Sequence, residues 1–333
     1  MVDQLRIGVL GAARISAKAL LAPASTNSEV EVTTVAARDP QRAKEYAAKH
    51  GIPRVAASYE ELVADPEIDA VYNPLPNGLH GRWTLAAIAA GKHVLCEKPF
   101  TANAAEARTV AAAAEESGLV VMEAFHNRYH PLAQRMQEVV ESGELGKLRL
   151  VEASFCFPLP NFSDIRYDFD LAGGALMDAG CYAVHIVRML GGAPAGGEPA
   201  VVRADAKLRG ANIDRAMRAD MHFPAGHTGR IHCSMWSSAV FKISARAVGD
   251  RGELSLFNPL TGRKFTVTTK DGKRVEQVSR RSTYAYQLDA FAAAVLRGEP
   301  NLTPPADSIA NMTVIDSIYT AAGLPIRQPV PVR

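Results

Sequence analysis

The chain has 333 residues, more than one hydrophobic core usually supports, so two domains are expected. With 47% hydrophobic residues, 22% charged residues and a formal net charge of +2, the composition is that of an ordinary globular protein, and the scattered Lys and Arg form no stripe suited to a nucleic-acid backbone. No apolar run approaches the roughly 20 residues of a membrane helix, and no leader pattern opens the chain, so a soluble cytoplasmic protein with neither nucleic-acid nor membrane partners is expected.

Short apolar runs at Leu5–Leu10, Val30–Ala36, Ala70–Asn73, His93–Cys96 and Leu119–Met122 read as strands buried on both faces of a parallel sheet. Helical patterns lie between them. Asp39-Pro40 opens one helix, which Gly51 closes; Ser58-Tyr59-Glu60-Glu61 has capping-box spacing; the alanine-rich run 104–116 ends at Ser117-Gly118. Repeated strand–helix–strand units predict right-handed crossovers and a doubly wound sheet over residues 1–125.

Beyond Phe125 the rhythm changes. Leu148–Phe157 reads as a long strand and Ala175–Leu190 as a helix, with Gly191–Pro199 a loop. Strands are expected at Thr228–Trp236, Phe241–Val248, Glu253–Phe257 and Lys264–Thr269, separated by turns such as Asn258-Pro259 and Asp271-Gly272. Helices near Tyr284–Leu296 and Pro305–Ala322 finish the chain. Residues 126–333 are therefore expected to form an α+β domain on a mostly antiparallel open sheet, with the closing helix free to pack back on the first domain.

The turn Gly11-Ala12-Ala13-Arg14-Ile15-Ser16 follows the first strand. Gly11 permits the tight bend, and small residues at 13 and 16 let backbone amides approach a pyrophosphate at the next helix N-terminus. Where a cofactor lacking the 2′-phosphate would meet an acidic residue, Arg38 and Arg42 offer cations instead, favouring NADP, with NAD possible. The alternative is two solvated arginines beside the helix cap Asp39.

Pro74, Leu75, Asn77 and His80 lie at the carboxyl end of a strand, where ligands of open α/β sheets bind; His80 either caps the next helix or touches a ligand. Glu97, Lys98 and Pro99 end the next strand, and a charged pair there is hard to justify by packing; the alternative is a surface ion pair. Pro99 is a candidate for a cis bond. In the second domain Asp178, Tyr182 and His185 fall on one helical face behind Gly173-Gly174, a pair that lets a ligand or another chain segment come close. Carboxylate, phenol and imidazole together suit proton transfer. His126 and His130 are four apart but lack a supporting carboxylate, and no metal is expected. Cys96, Cys156, Cys181 and Cys233 form no C-x-x-C pair and fit reduced thiols.

The combination of Gly11 to Ile15, Ala37-Arg38-Asp39, Cys96-Glu97-Lys98-Pro99 and Gly173-Gly174-x-x-x-Asp178-x-Gly180-x-Tyr182 resembles the glucose–fructose oxidoreductase, inositol dehydrogenase and rhizopine catabolism family (Gfo/Idh/MocA). It looks nearest to the branch of dimeric dihydrodiol dehydrogenases, sugar dehydrogenases and deoxysugar 3-ketoreductases. The resemblance spans nearly the whole chain, including Glu123 and Pro304-Pro305-Ala306-Asp307.

It implies an N-terminal Rossmann domain and a C-terminal substrate and oligomerisation domain. Lys98 would be the catalytic lysine, Asp178 the acid that orients substrate or lysine, and Tyr182 the proton-exchanging group. Gly11, Ala12, Ala13, Arg14 and Ile15 would meet the pyrophosphate and Arg38 the 2′-phosphate; apart from the resemblance, Arg166 is expected to shape the substrate pocket and His185 to join it from the helical face of Asp178 and Tyr182. The implied reaction is hydride transfer between NADP and a secondary alcohol or ketone of a sugar, cyclic polyol or trans-dihydrodiol, in a homodimer or homotetramer formed through the second-domain sheet. Competing readings are reduction of a non-sugar carbonyl or imine, and a non-catalytic NADP sensor.

Overall fold

A computed structural model describes residues 4–192 and 197–331. The chain divides into two compact units, residues 1–129 with 281–309 and residues 130–280 with 310–333.

The first unit holds a six-stranded parallel sheet of β1 (Leu5–Leu10), β2 (Val30–Ala36), β3 (Arg54–Val55), β4 (Ala70–Asn73), β5 (His93–Cys96) and β6 (Val121–Glu123), in the order β3-β2-β1-β4-β5-β6. This is the doubly wound dinucleotide-binding order, as expected. The edge strand β3 was not anticipated: two residues are too few to show a period, and it exists only through pairing with Thr34 and Val35. The helix ends follow the sequence signals. Asp39 accepts from the backbone of Gln41 and Arg42, Ser58 from Glu61, and Gly51 and Gly118 close their helices with positive φ.

Helix Thr283–Arg297 belongs to this unit, although its sequence position suggested the second domain. The reason is apolar: Leu288, Phe291 and Ala292 are buried in one cluster with Leu5, Ile7, Val30 and Tyr72.

The second unit is built on an eight-stranded sheet. Its strands are β7 (Leu148–Cys156), β8 (Ala200–Arg209), β9 (Ile213–His222), β10 (Thr228–Ser234), β11 (Lys242–Gly249), β12 (Gly252–Phe257), β13 (Lys264–Thr269) and β14 (Gly272–Gln277). The order is β14-β13-β12-β11-β7-β10-β9-β8, antiparallel except for the β7–β10 pair. β8, β9 and β14 were not anticipated: β8 and β14 are edge strands with no fully buried side chain, and Asp214, Arg215 and Arg218 break up the apolar residues of β9.

Val151, Ala153, Phe155, Ile231, Met217 and Ala219 are buried on one face, against which the helix carrying Tyr182 packs. The opposite face carries cross-strand charges such as Arg230 and Asp220, 2.8 Å apart. The helix expected at 175–190 begins instead as a π turn, Leu176–Gly180, and continues as an α-helix over Cys181–Gly192. Of the loop expected at 191–199, Gly191 and Gly192 are helical, 197–199 are irregular, and 193–196 lie outside the described residues.

Candidate functional site

Gly11 has φ +85 and its amide donates to Ala36 O at 2.7 Å, closing the turn between β1 and β2. Ala13 is extended, and the helix over 14–24 starts after it with no side-chain cap. Ser16 N donates to Ala13 O at 3.2 Å, and with no side chain capping the start the helix presents a positive end suited to an anion. Ala12 packs with Ala37 and Ala43. Arg42 Nη2 donates to Ala12 O at 2.9 Å and Tyr46 donates to Ala13 O at 3.2 Å, so helix Pro40–His50 braces the turn. Arg42 thus spends one donor on the turn itself.

Arg38 is exposed and makes no side-chain ion pair among the described residues. Burial raises the Tyr59 phenol pKa, and the positive charges of Arg38 and Arg42 oppose that rise. Two guanidinium groups beside a phenol fit a phosphate dianion. Tyr59 was missed as a site residue because it reads only as part of a helix start.

Asn73 is buried, donating to His80 O at 3.0 Å and to Thr84 Oγ1 at 3.3 Å. His80 neither caps its helix nor reaches solvent. Its ring sits 2.7 Å (Nδ1) from Pro99 O and 2.6 Å (Nε2) from Leu75 O, so it joins the loops that follow β4 and β5. Burial lowers its pKa to about 4, with the Lys98 charge acting the same way and the two carbonyls opposing. His80 thus holds Leu75 and Pro99 in place.

Glu97 is 7% exposed and accepts from the Tyr72 hydroxyl at 2.8 Å, so the surface ion-pair alternative does not hold for it. Lys98 is half-buried at the end of β5, and the Lys98–Pro99 bond is cis. Phe100 N donates to the buried Glu123 carboxylate at 2.9 Å. Tyr284 was missed because it lies far along the chain. Its ring lies against that of His126, tilted by 32° with 3.9 Å between centroids, and Lys18 Nζ is 5.5 Å from its centre. Burial pushes its phenol up to about 12; the Glu97 charge adds to that and Lys98 opposes it. His130 caps its own helix by accepting from Leu132 N.

In the second unit, the close approach at the glycine pair is made by protein. A Cβ on Gly173 would lie 2.5 Å from Asp168 O, and one on Gly174, at φ +135, would collide with the Asp214 carboxylate and lie 2.8 Å from the Tyr319 hydroxyl. Asp178 sits on the π turn and pairs with Arg166, Nε to Oδ1 at 3.0 Å; Arg166 also meets Asp164 at 3.1 Å. The Asp178 charge is the largest cause of the raised Arg166 pKa.

Tyr182 is 7% exposed, its ring stacked on Phe155 at 5.7 Å. His185 is buried further along the α segment. The π turn means that Asp178 and Tyr182 are not related by the plain helical spacing assumed from sequence. Among the described residues no group of three His, Cys, Asp or Glu is placed to hold a metal.

The family model for oxidoreductases with an NAD-binding Rossmann fold (GFO_IDH_MocA) matches residues 5–125, and that for the GFO/IDH/MocA C-terminal domain matches 133–255. A D-xylose 1-dehydrogenase (NADP(+)) from Haloferax volcanii is 40% identical over 96% of this chain and 97% of its own. A trans-1,2-dihydrobenzene-1,2-diol dehydrogenase from Bos taurus is 36% identical over 77% of this chain and 75% of its own. A 3-ketoreductase from Actinomadura kijaniata, solved with NADP and TDP-benzene, superposes with a TM-score of 0.87 at 30% identity, covering 96% of this chain and 98% of that one.

Fold and relatives define a nicotinamide-dependent oxidoreductase with a doubly wound nucleotide domain. The chain belongs to the GFO/IDH/MocA oxidoreductase family.

Proposed function

We propose that the protein transfers a hydride between NADP and a secondary alcohol or ketone of a sugar, cyclic polyol or related diol. The cofactor is NADP: Arg38, with Arg42 and Tyr59 nearby, suits its 2′-phosphate, and the uncapped helix start after Gly11-Ala12-Ala13, with Arg14 and Ile15, suits its pyrophosphate. Pro74, Leu75, Asn77 and Glu97 line the nicotinamide end. When bound, the nicotinamide supplies the hydride acceptor or donor.

The observation that carries this reading is Lys98, half-buried at the carboxyl end of β5, the sheet end where such folds bind ligands. Lys98 polarises the substrate oxygen. Tyr182 exchanges the hydroxyl proton, and because a free phenol titrates near 10, it needs a nearby ammonium to work at neutral pH. Asp178 and Arg166 orient the substrate, with His185 behind them. A sugar is favoured by the D-xylose dehydrogenase relative at 40% identity.

We further assign a cytoplasmic location, supported by four buried free cysteines, and a homodimer or homotetramer through the second-unit sheet, where Phe257 and Val275 are 72% and 57% exposed. No helix of the described residues is long and apolar enough to cross a membrane. The test is fluorescence titration with NADP and NAD, then a sugar and diol screen at neutral and alkaline pH. Tight NADP binding with no turnover on any member would leave the sensor reading in its place.

A further inference from the structure

We propose that Arg327, on the tail beyond the last helix, is a positioning residue for the segment that carries Asp178 and Tyr182. Arg327 Nη2 lies 2.8 Å from Asp214 Oδ1, and neither side chain is exposed. Asp214 Oδ1 also accepts from the Tyr319 hydroxyl at 3.0 Å, and Oδ2 accepts from Leu176 N at 2.7 Å. Arg327 Nε donates to Gly173 O at 2.6 Å and Nη1 to Pro325 O at 3.0 Å. The guanidinium carbon stands 4.2 Å from the Tyr319 ring centre and 4.9 Å from that of Phe169. Strand β9, the last helix and the tail therefore converge on residues 173–176.

This arrangement is a poor device for stability alone. Burying two charges costs much of what their attraction returns, and burial pushes the Asp214 carboxyl up to about 6 despite Arg327 and its hydrogen-bond donors. What it supplies is geometry. No side chain caps the turn locally, and the donor at Leu176 is satisfied by a carboxylate from β9. Gly174 O then accepts from Asp178 N at 3.0 Å.

The turn so gripped is a π turn, a form uncommon on its own and held where surroundings demand it. Relaxation to an ordinary α turn would rotate Asp178 by roughly 100° about the helix axis relative to Tyr182. Gly174 follows from the same demand, since a side chain there would meet Asp214, Tyr319 and Arg327, while Gly173 is kept small by the backbone carbonyls of Asp168 and Arg166.

This inference rests on the reading that Asp178 and Tyr182 serve the reaction. Its test uses the full chain with Arg327→Met, Arg327→Lys and Tyr319→Phe. Lys keeps the charge but cannot reach Asp214 and Gly173 O together, and Phe removes one hydrogen bond, so these two variants remain informative if Arg327→Met fails to fold. Amide hydrogen exchange across residues 174–182 is measured beside NADP affinity, kcat and its pH profile.

We expect exchange at 176–178 to rise at least about tenfold and kcat to fall at least about tenfold with a displaced pH profile, while NADP affinity stays within about twofold. A folded Arg327→Lys or Tyr319→Phe protein with wild-type exchange and turnover overturns the proposal. If exchange rises as expected but the parent protein turns over no polyol, the positioning role stands and the assigned reaction falls.

Discussion

Arg166 reaches Asp178 across 3.0 Å and holds Asp164 with the same guanidinium, so the loop after β7 fixes the one carboxylate presented by the π turn. Arg166 is 40% exposed, so water screens the pair and its worth to the fold is about 0–1 kcal/mol. Orientation of Asp178 is the larger matter. Arg166→Ala is expected to change urea-unfolding stability by no more than about 1 kcal/mol and to lower kcat by about tenfold or more. Parallel unfolding and kinetic measurements decide it: unchanged turnover removes Arg166 from the reaction.

Lys98→Met and Tyr182→Phe should separate binding from chemistry. Neither change touches the turn at Gly11 or the cations near Tyr59, so NADP affinity is expected to persist. Turnover should drop by roughly 10²–10⁴-fold in each, the usual contribution of a positioned proton donor or acceptor. Full activity in either variant would take that residue out of the mechanism.

Arg38→Ala tests cofactor choice. A charge-assisted bond to phosphate contributes about 1.5–3 kcal/mol, so the Kd for NADP should rise by about 10- to 100-fold while that for NAD hardly moves. Equal weakening of both cofactors would show that Arg38 acts on the fold and not on the 2′-phosphate.

His80 gives a prediction in pH. Its folded pKa, about 4, lies below the ordinary 6.5. Between those values the unfolded chain holds a proton that the folded ring lacks, so the His80 contribution is intact above pH 6.5 and is lost as pH falls toward 4. At roughly 1.4 kcal/mol per unit, the loss is about 3 kcal/mol. Thermal or urea unfolding of His80→Gln should therefore show a shallower acid decline than the parent. A steeper decline would mean that the carbonyls of Leu75 and Pro99 hold the ring as an imidazolium.

The nucleotide-binding unit was readable because its strands are short, apolar and bounded by caps that the structure reproduces at Asp39, Ser58 and Gly118. The second unit was half readable. β13 was found in full, whereas the edge strand β8 has no fully buried side chain and β9 carries charges such as Asp214 among its buried residues. The glycine pair announced a close approach but not its source at Gly174, because Asp214, Tyr319 and Arg327 are distant in sequence and no local pattern links them. Arg166 could be named as a pocket residue, yet its partner Asp178 is set by a π turn that helical spacing does not foretell.

Helix Thr283–Arg297 completes the apolar centre of a unit whose first strand begins at Leu5. During synthesis the ribosome must deliver the whole eight-stranded sheet before that helix emerges. The nascent nucleotide-binding half therefore waits with Leu5, Ile7 and Val30 incompletely covered, a long-range closure of the kind that slows folding and invites chaperone attention. A chain cut after Tyr129 would keep every strand of the nucleotide sheet and still lack the piece that seals it.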